Sequence, residues 1–147
     1  MNKKTFLLIF AIFFLIIPGY LQAQAAEELE AMLGTGVVSC EQAARYVLGS
    51  AGTSFHGSAF DHAVSRGWIK KSKADDPVTL GKLSFLIMQA FKIKGGMMYS
   101  MIPSPRYAYR SMVSRNFIQG AADPAMTVNG DRFMIILGRV LNKEDNI

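Results

Sequence analysis

The sequence predicts an all-α protein: a small bundle of about five to six helices, built from two helix–loop–helix repeats plus a partial third. Three observations predict it. Apolar residues recur at helical spacing along most of the chain, as in Phe60, Ala63, Val64 and Trp68, or Tyr109, Met112, Val113 and Phe117. Laying Ala59–Lys92 on Ala108–Leu141 at an offset of 49 gives seven identities in 34 positions, where unrelated segments would share roughly two. Finally, no stretch of alternating β-branched residues competes with the helical pattern.

The first 25 residues read as a secretory signal peptide. Lys3 and Lys4 supply a basic start, Phe6–Ile17 an apolar run of 12 residues, Pro18-Gly19 a helix break and Ala23-Gln24-Ala25 a small-residue cleavage site. Twelve apolar residues fall short of the ~30 Å hydrocarbon core, so this run is expected to be cleaved rather than to anchor. No later run is long enough to span a bilayer. The expected mature chain is one all-α domain over residues 26–147, exported to the periplasm or cell envelope. Without Lys3 and Lys4 it carries 14 basic against 11 acidic residues. That modest excess is compatible with anionic wall polymers, lipid headgroups or no particular partner, and export argues against nucleic acid.

Cys40 is the only cysteine, so no internal disulfide can form and the core must hold the fold. The Val37-Val38-Ser39-Cys40 tetrad has the look of a lipidation box. It is separated from the apolar run by AAEELEAM, so Cys40 is expected to be a small buried helix residue.

Each element follows from local signals. Ala26–Leu33 begins with Glu27 and Glu28, suited to a helix N-terminus, and Gly34 is placed to end it. Ser39-x-x-Gln42 is a capping box for a second helix with Ala43, Tyr46 and Val47 on its apolar face and Gly49 at its end. Residues 38–49 thus read as the second half of a repeat. Repeat one spans about 58–93: a helix over Ser58–Arg66, a turn at Gly67, Trp68 and Ile69 tucked into the core, then a helix capped by Thr79. Leu80, Leu83, Ile87, Ala90 and Phe91, widened by Phe85, Leu86 and Met88, make that second helix central, and Gly95-Gly96 stops it. The Met-rich connector Gly95–Pro105 is expected to pack into irregular gaps, with an adaptable contact surface as the alternative. Repeat two spans about 104–142. Ser104 and Pro105 open its first helix, and its second carries Phe133, Ile136, Leu137, Val140 and Leu141 after an N-cap at Thr127 or Asn129.

No catalytic set emerges. The histidines are His56 and His62, and nothing in the pattern brings either to Cys40 with an orienting partner. One Cys and two His at these spacings match no zinc site, and the loop acids lack a calcium-loop pattern. The reading is of a non-enzyme without metal or cofactor. Arg66 and Arg115 recur at the ends of the two first helices, either as favourable charge at a helix C-terminus or as repeated anion contacts. Trp68 is either a core aromatic or a sugar-stacking platform, with Lys70 and Lys71 beside it.

The order of helix, "GWIKK" or "NFIQG", a loop with Asp-Pro, then "VTLGKLSFLIMQAF" or "TVNGDRFMIILGRVL" resembles S-layer homology domains. The resemblance covers Ser58–Leu141 as two units, with Val38–Gly49 as a partial third. It implies a helical repeat bundle holding peptidoglycan or an associated wall polymer in grooves between repeats. Thr79 matches the threonine of the family's Thr-Arg-Ala-Glu motif, but Leu80 and Lys82 occupy its arginine and glutamate positions. In the second unit Asp131 aligns with the acid and Asn129 with the arginine, so the polymer-contacting arginine has no counterpart. The expected ligand contacts are therefore Arg66, Trp68, Lys70, Lys71 and Arg115. The partner is a wall polymer or, alternatively, another envelope protein.

Overall fold

A computed structural model describes residues 23–120 and 123–144. Most of the predicted signal peptide, residues 1–22, lies outside the described residues, as does the end of the polar tail. Among those described there are seven helices and no strand. Helix α1 covers residues 23–33, α2 Cys40–Ser50, α3 Ala59–Ser65, α4 Leu80–Ala90, α5 Met97–Met101, α6 Pro105–Ser114 and α7 Gly130–Glu144. The all-α expectation holds. The helix beyond the expected five or six is α5, inside the connector read as irregular.

The chain divides after Gly34. In the first segment α1 has one buried residue, Met32, while Leu29 and Leu33 are exposed, so its expected apolar face is not fully used. The second segment, from Thr35, holds α2–α7.

Its centre is a ring of three backbone hydrogen bonds. Val78 N–H donates to Val38 O (2.9 Å), Val38 N–H to Val128 O (2.8 Å) and Val128 N–H to Val78 O (3.2 Å). All three valines are fully buried. Each stands immediately before the N-cap of a long helix, so α2, α4 and α7 start from one point. An α-helix leaves its first N–H groups without internal partners. Here the third is met by the N-cap side chain: Gln42 N–H by Ser39 Oγ, Lys82 N–H by Thr79 Oγ1 and Arg132 N–H by Asn129 Oδ1. The first is met by a loop of another repeat: Cys40 N–H by Asp76 O, Leu80 N–H by Met126 O and Gly130 N–H by Thr35 O. Ser39 and Gln42 complete the expected capping box.

This geometry settles the repeat register. The N-cap of α7 is Asn129; Thr127 instead makes a bridge with Thr79. Residues 39, 79 and 129 are therefore equivalent, and the second halves of the repeats are related by 50 positions, not 49. The sequence matches Gly81/Gly130 and Ile87/Ile136 are thus out of step, and Asn129 corresponds to Thr79 rather than to Leu80. In the corrected register Ala43, Leu83 and Phe133 are all buried, as are Val47, Ile87 and Leu137. The first halves do keep the offset of 49. Trp68 and Ile69 N–H both donate to Ala63 O, as Phe117 and Ile118 N–H both donate to Met112 O. One extra residue in the second loop accounts for the difference.

Other expectations change with the packing. Val64 and Val113 are 42% and 39% exposed, so neither belongs to the apolar face assigned to it. The buried face of α3 is Ala59, Phe60 and Ala63, matched in α6 by Ala108 and Met112. Each of these helices, closed by a left-handed turn at Gly67 or Asn116, docks through that face, and the valines stay outside. Trp68 is half-buried; Ile69 behind it is the core residue. Helices α2 and α4 stop at Ala51 and Phe91, before or beyond the expected Gly49 and Gly95-Gly96. The left-handed residues that reverse the chain there are Gly52 and Lys92. Helices also pair across repeats: α3 packs on α2 and α6 on α4. Helix α4 is buried at every position except Lys82 and Gln89, as befits the expected central helix.

Ile136 is 1% exposed, so Ile136→Ala should cost about 2–5 kcal/mol in urea denaturation. Val64→Ala and Val113→Ala should stay within about 0.5 kcal/mol. Asn129→Ala, which removes the α7 cap, should cost about 1 kcal/mol.

Candidate anion-binding groove

The pairing of α6 with α4 leaves a cleft of about 650 Å³ where both helices begin. One wall is the first turn of α4, with Gly81 and Lys82; the other is α6, with Arg106, Tyr109 and Arg110. The loop at Asp123 and Pro124 forms the floor. Arg106 and Arg110 are one helical turn apart, so both guanidinium groups and the intervening Tyr109 face the same region. Lys82 contributes to the lining through its stem, while its Nζ donates to Ser72 Oγ at 2.6 Å, outside the groove. The single carboxylate, Asp123, is turned into its own loop, where Oδ1 accepts from Ala125 N–H at 2.7 Å. The groove therefore presents positive charge beside an aromatic ring.

Gly81 keeps it open. A Cβ there would stand 3.1 Å from Pro124 O and 3.4 Å from Pro124 Cβ. Its N–H already donates to Pro124 O at 2.8 Å, so the start of α4 has no free N–H for a ligand at this position. Charge in the groove must come from side chains. The equivalent place between α2 and α3 is taken by Glu41. Its Oε2 accepts from Ser58 Oγ (2.9 Å) and Phe60 N–H (3.2 Å), bridging the two helices with a carboxylate. The same scaffold thus has one cleft occupied by its own acid and another lined with cations.

The residues singled out from sequence lie elsewhere. Arg66 is the exposed C-cap residue of α3, and Lys70 and Lys71 are exposed beyond it. Trp68 meets His62 edge-on, with centroids 6.1 Å apart. Arg115, the C-cap of α6, donates to Lys94 O and lines a separate cleft of about 390 Å³ with Arg139 and Lys143. None of the five lines the α4–α6 groove. Lys82, Arg106, Tyr109 and Arg110 were missed because their signal is tertiary. Only the alignment of α6 beside the start of α4 brings them together.

Among the described residues no group of three or more His, Cys, Asp or Glu side chains is placed to hold a metal ion. Cys40 is fully buried and free. Desolvation pushes its thiol above the usual range, outweighing the opposing Lys82 charge and a Ser72 hydrogen bond. A thiol nucleophile needs the reverse shift. No family model matches the chain, and neither curated proteins nor solved structures give a match.

Two outcomes follow for Cys40. A disulfide-exchange reagent should modify it on the order of 10²-fold more slowly in the folded than in the unfolded chain, because access requires opening. Its folded thiol keeps its proton to higher pH than the unfolded thiol. The associated stability is therefore intact below the unfolded value of about 8.5 and declines as pH rises past it. Cys40→Ala should flatten that decline in denaturation measured from pH 7 to 10.

Proposed function

We propose that this chain is a non-catalytic, exported binding module of the bacterial envelope, and that its α4–α6 groove takes an anionic wall polymer, peptidoglycan or one attached to it. The observation that carries this reading is the pairing of Arg106 and Arg110 beside Tyr109 in an open cleft. Guanidinium groups can grip carboxylate or phosphate with two parallel bonds, and a phenol ring offers a flat face to a sugar. The resemblance to S-layer homology repeats, read from sequence, points to the same ligand class. In this reading the absent motif arginine is replaced by cations from α6, reaching the cleft from its opposite wall.

A protein partner is the second reading, favoured by a specific surface. Met97, Met98, Met101 and Ile102 are 78%, 46%, 71% and 55% exposed. The connector expected to pack with its methionines packs instead through Tyr99, whose hydroxyl accepts from Gln89 Nε2 at 2.7 Å.

Sedimentation with purified peptidoglycan carrying its attached polymers tests the first reading. Arg106→Ala and Arg110→Ala should each weaken binding about two- to fivefold, the range for partly exposed charge contacts. Arg66→Ala should leave it unchanged. Raising salt from 20 to 500 mM should release the protein, as screening requires. Protein that stays in the supernatant at low salt removes the polymer reading and leaves the protein partner. Export makes its own prediction: intact mass should give a mature start at or near Ala26 and no lipid on Cys40.

A further inference from the structure

Three of the nine methionines fall within one turn of α5, and all three are exposed. At 3.6 residues per turn, Met97, Met101 and Met98 lie within an arc of about 100°. Met97–Met101 is an i,i+4 pair and Met98–Met101 an i,i+3 pair, so their Cβ atoms are about 5–6 Å apart. Each sulfur lies two bonds beyond Cβ and is placed by two torsions, about Cα–Cβ and Cβ–Cγ. Their sulfurs can converge on one atom without moving the backbone.

The fold does not need these thioethers for packing. Helix α5 docks through Tyr99, which is 7% exposed and stacks edge-on with Phe85 at 6.2 Å. Gly95 admits that ring so closely that a Cβ there would collide with the Tyr99 side chain. The neighbouring cleft contains Met97, Met98, Tyr107 and Arg110 and no carboxylate. A hard divalent cation requires charged oxygen donors, and none lines this cleft. Neutral, polarisable thioethers select a soft monovalent ion.

We propose that Met97, Met98 and Met101 form a surface site for Cu(I), with three thioether ligands from one helical turn. The site does not rest on polymer binding, although Arg110 lines both the cleft beside it and the cationic groove. Coordination leaves the ligands neutral, so binding releases no proton and changes little between pH 5 and 8, unlike thiolate or imidazole sites.

The test uses the Cys40→Ala protein, which removes the thiol as a competing ligand. Silver(I) serves as a redox-inert stand-in for Cu(I), and methionine methyl resonances are followed by NMR. One equivalent should shift the Met97, Met98 and Met101 methyls and leave Met88 and Met112, which are buried in the core, in place. Cu(I) held reduced by ascorbate should be withdrawn from a bicinchoninate complex at one per chain. Zn(II) should shift nothing. Met97→Leu and Met101→Leu should each weaken Ag(I) binding at least tenfold. Leucine keeps the surface apolar, so capture of a protein partner through α5 would survive the same changes. Unsaturable shifts, shifts spread over all methionines, or full binding by the Met97→Leu/Met98→Leu/Met101→Leu protein would each overturn the proposal.

Discussion

The structure depends on the three buried valines whose main chains close a ring of hydrogen bonds. Val38, Val78 and Val128 come from three distant parts of the chain, yet each satisfies the next and is satisfied by the last. A buried N–H or C=O without a partner costs about 1–3 kcal/mol. The ring removes six such costs at one point. It also fixes where α2, α4 and α7 begin, because each valine immediately precedes a helix cap. Loops then supply carbonyls to helix starts in other repeats: Asp76 to α2, Met126 to α4 and Thr35 to α7. No repeat can complete its helix start alone. The arrangement is cyclic, so the partial repeat at residues 38–49 is a full participant in closing it.

The cyclic pairing also makes the groove. Since α6 packs on α4, the two helix beginnings stand side by side with a loop beneath them. What fills the resulting space depends on single residues. Glu41 reaches across one such place and accepts from Ser58 and Phe60. Gly81, in the equivalent position, has no side chain, and the cations of α6 face the space that remains. A carboxylate in one cleft and a glycine in the other give two chemistries from one backbone.

Much of this was legible from residues. The capping box at Ser39 and Gln42, the caps at Thr79 and Ser104 and the turn at Gly67 all act locally. Local signals survive folding because their partners lie within three or four residues. The exposed valines and the exposed methionines were misread for the opposite reason. Apolar spacing marks one face of a helix, but a seven-residue helix such as α3 cannot bury all of it. Likewise, Tyr99 alone fills the gap beneath α5, leaving the methionines no room inside.

By itself, then, the sequence determined that the chain is helical, where most helices start, and that two segments repeat. Those properties follow from backbone capping and from the period of apolar residues. Tertiary structure decided the register, shifting the second halves to an offset of 50 through the Asn129 cap and the Val128 ring contact. It also decided which cations share a cleft. Lys82 and Arg106 are 24 positions apart and belong to different repeats, and no periodicity relates them. Only the packing of α6 against the start of α4, set by the shared ring, brings both residues to the lining of one cleft.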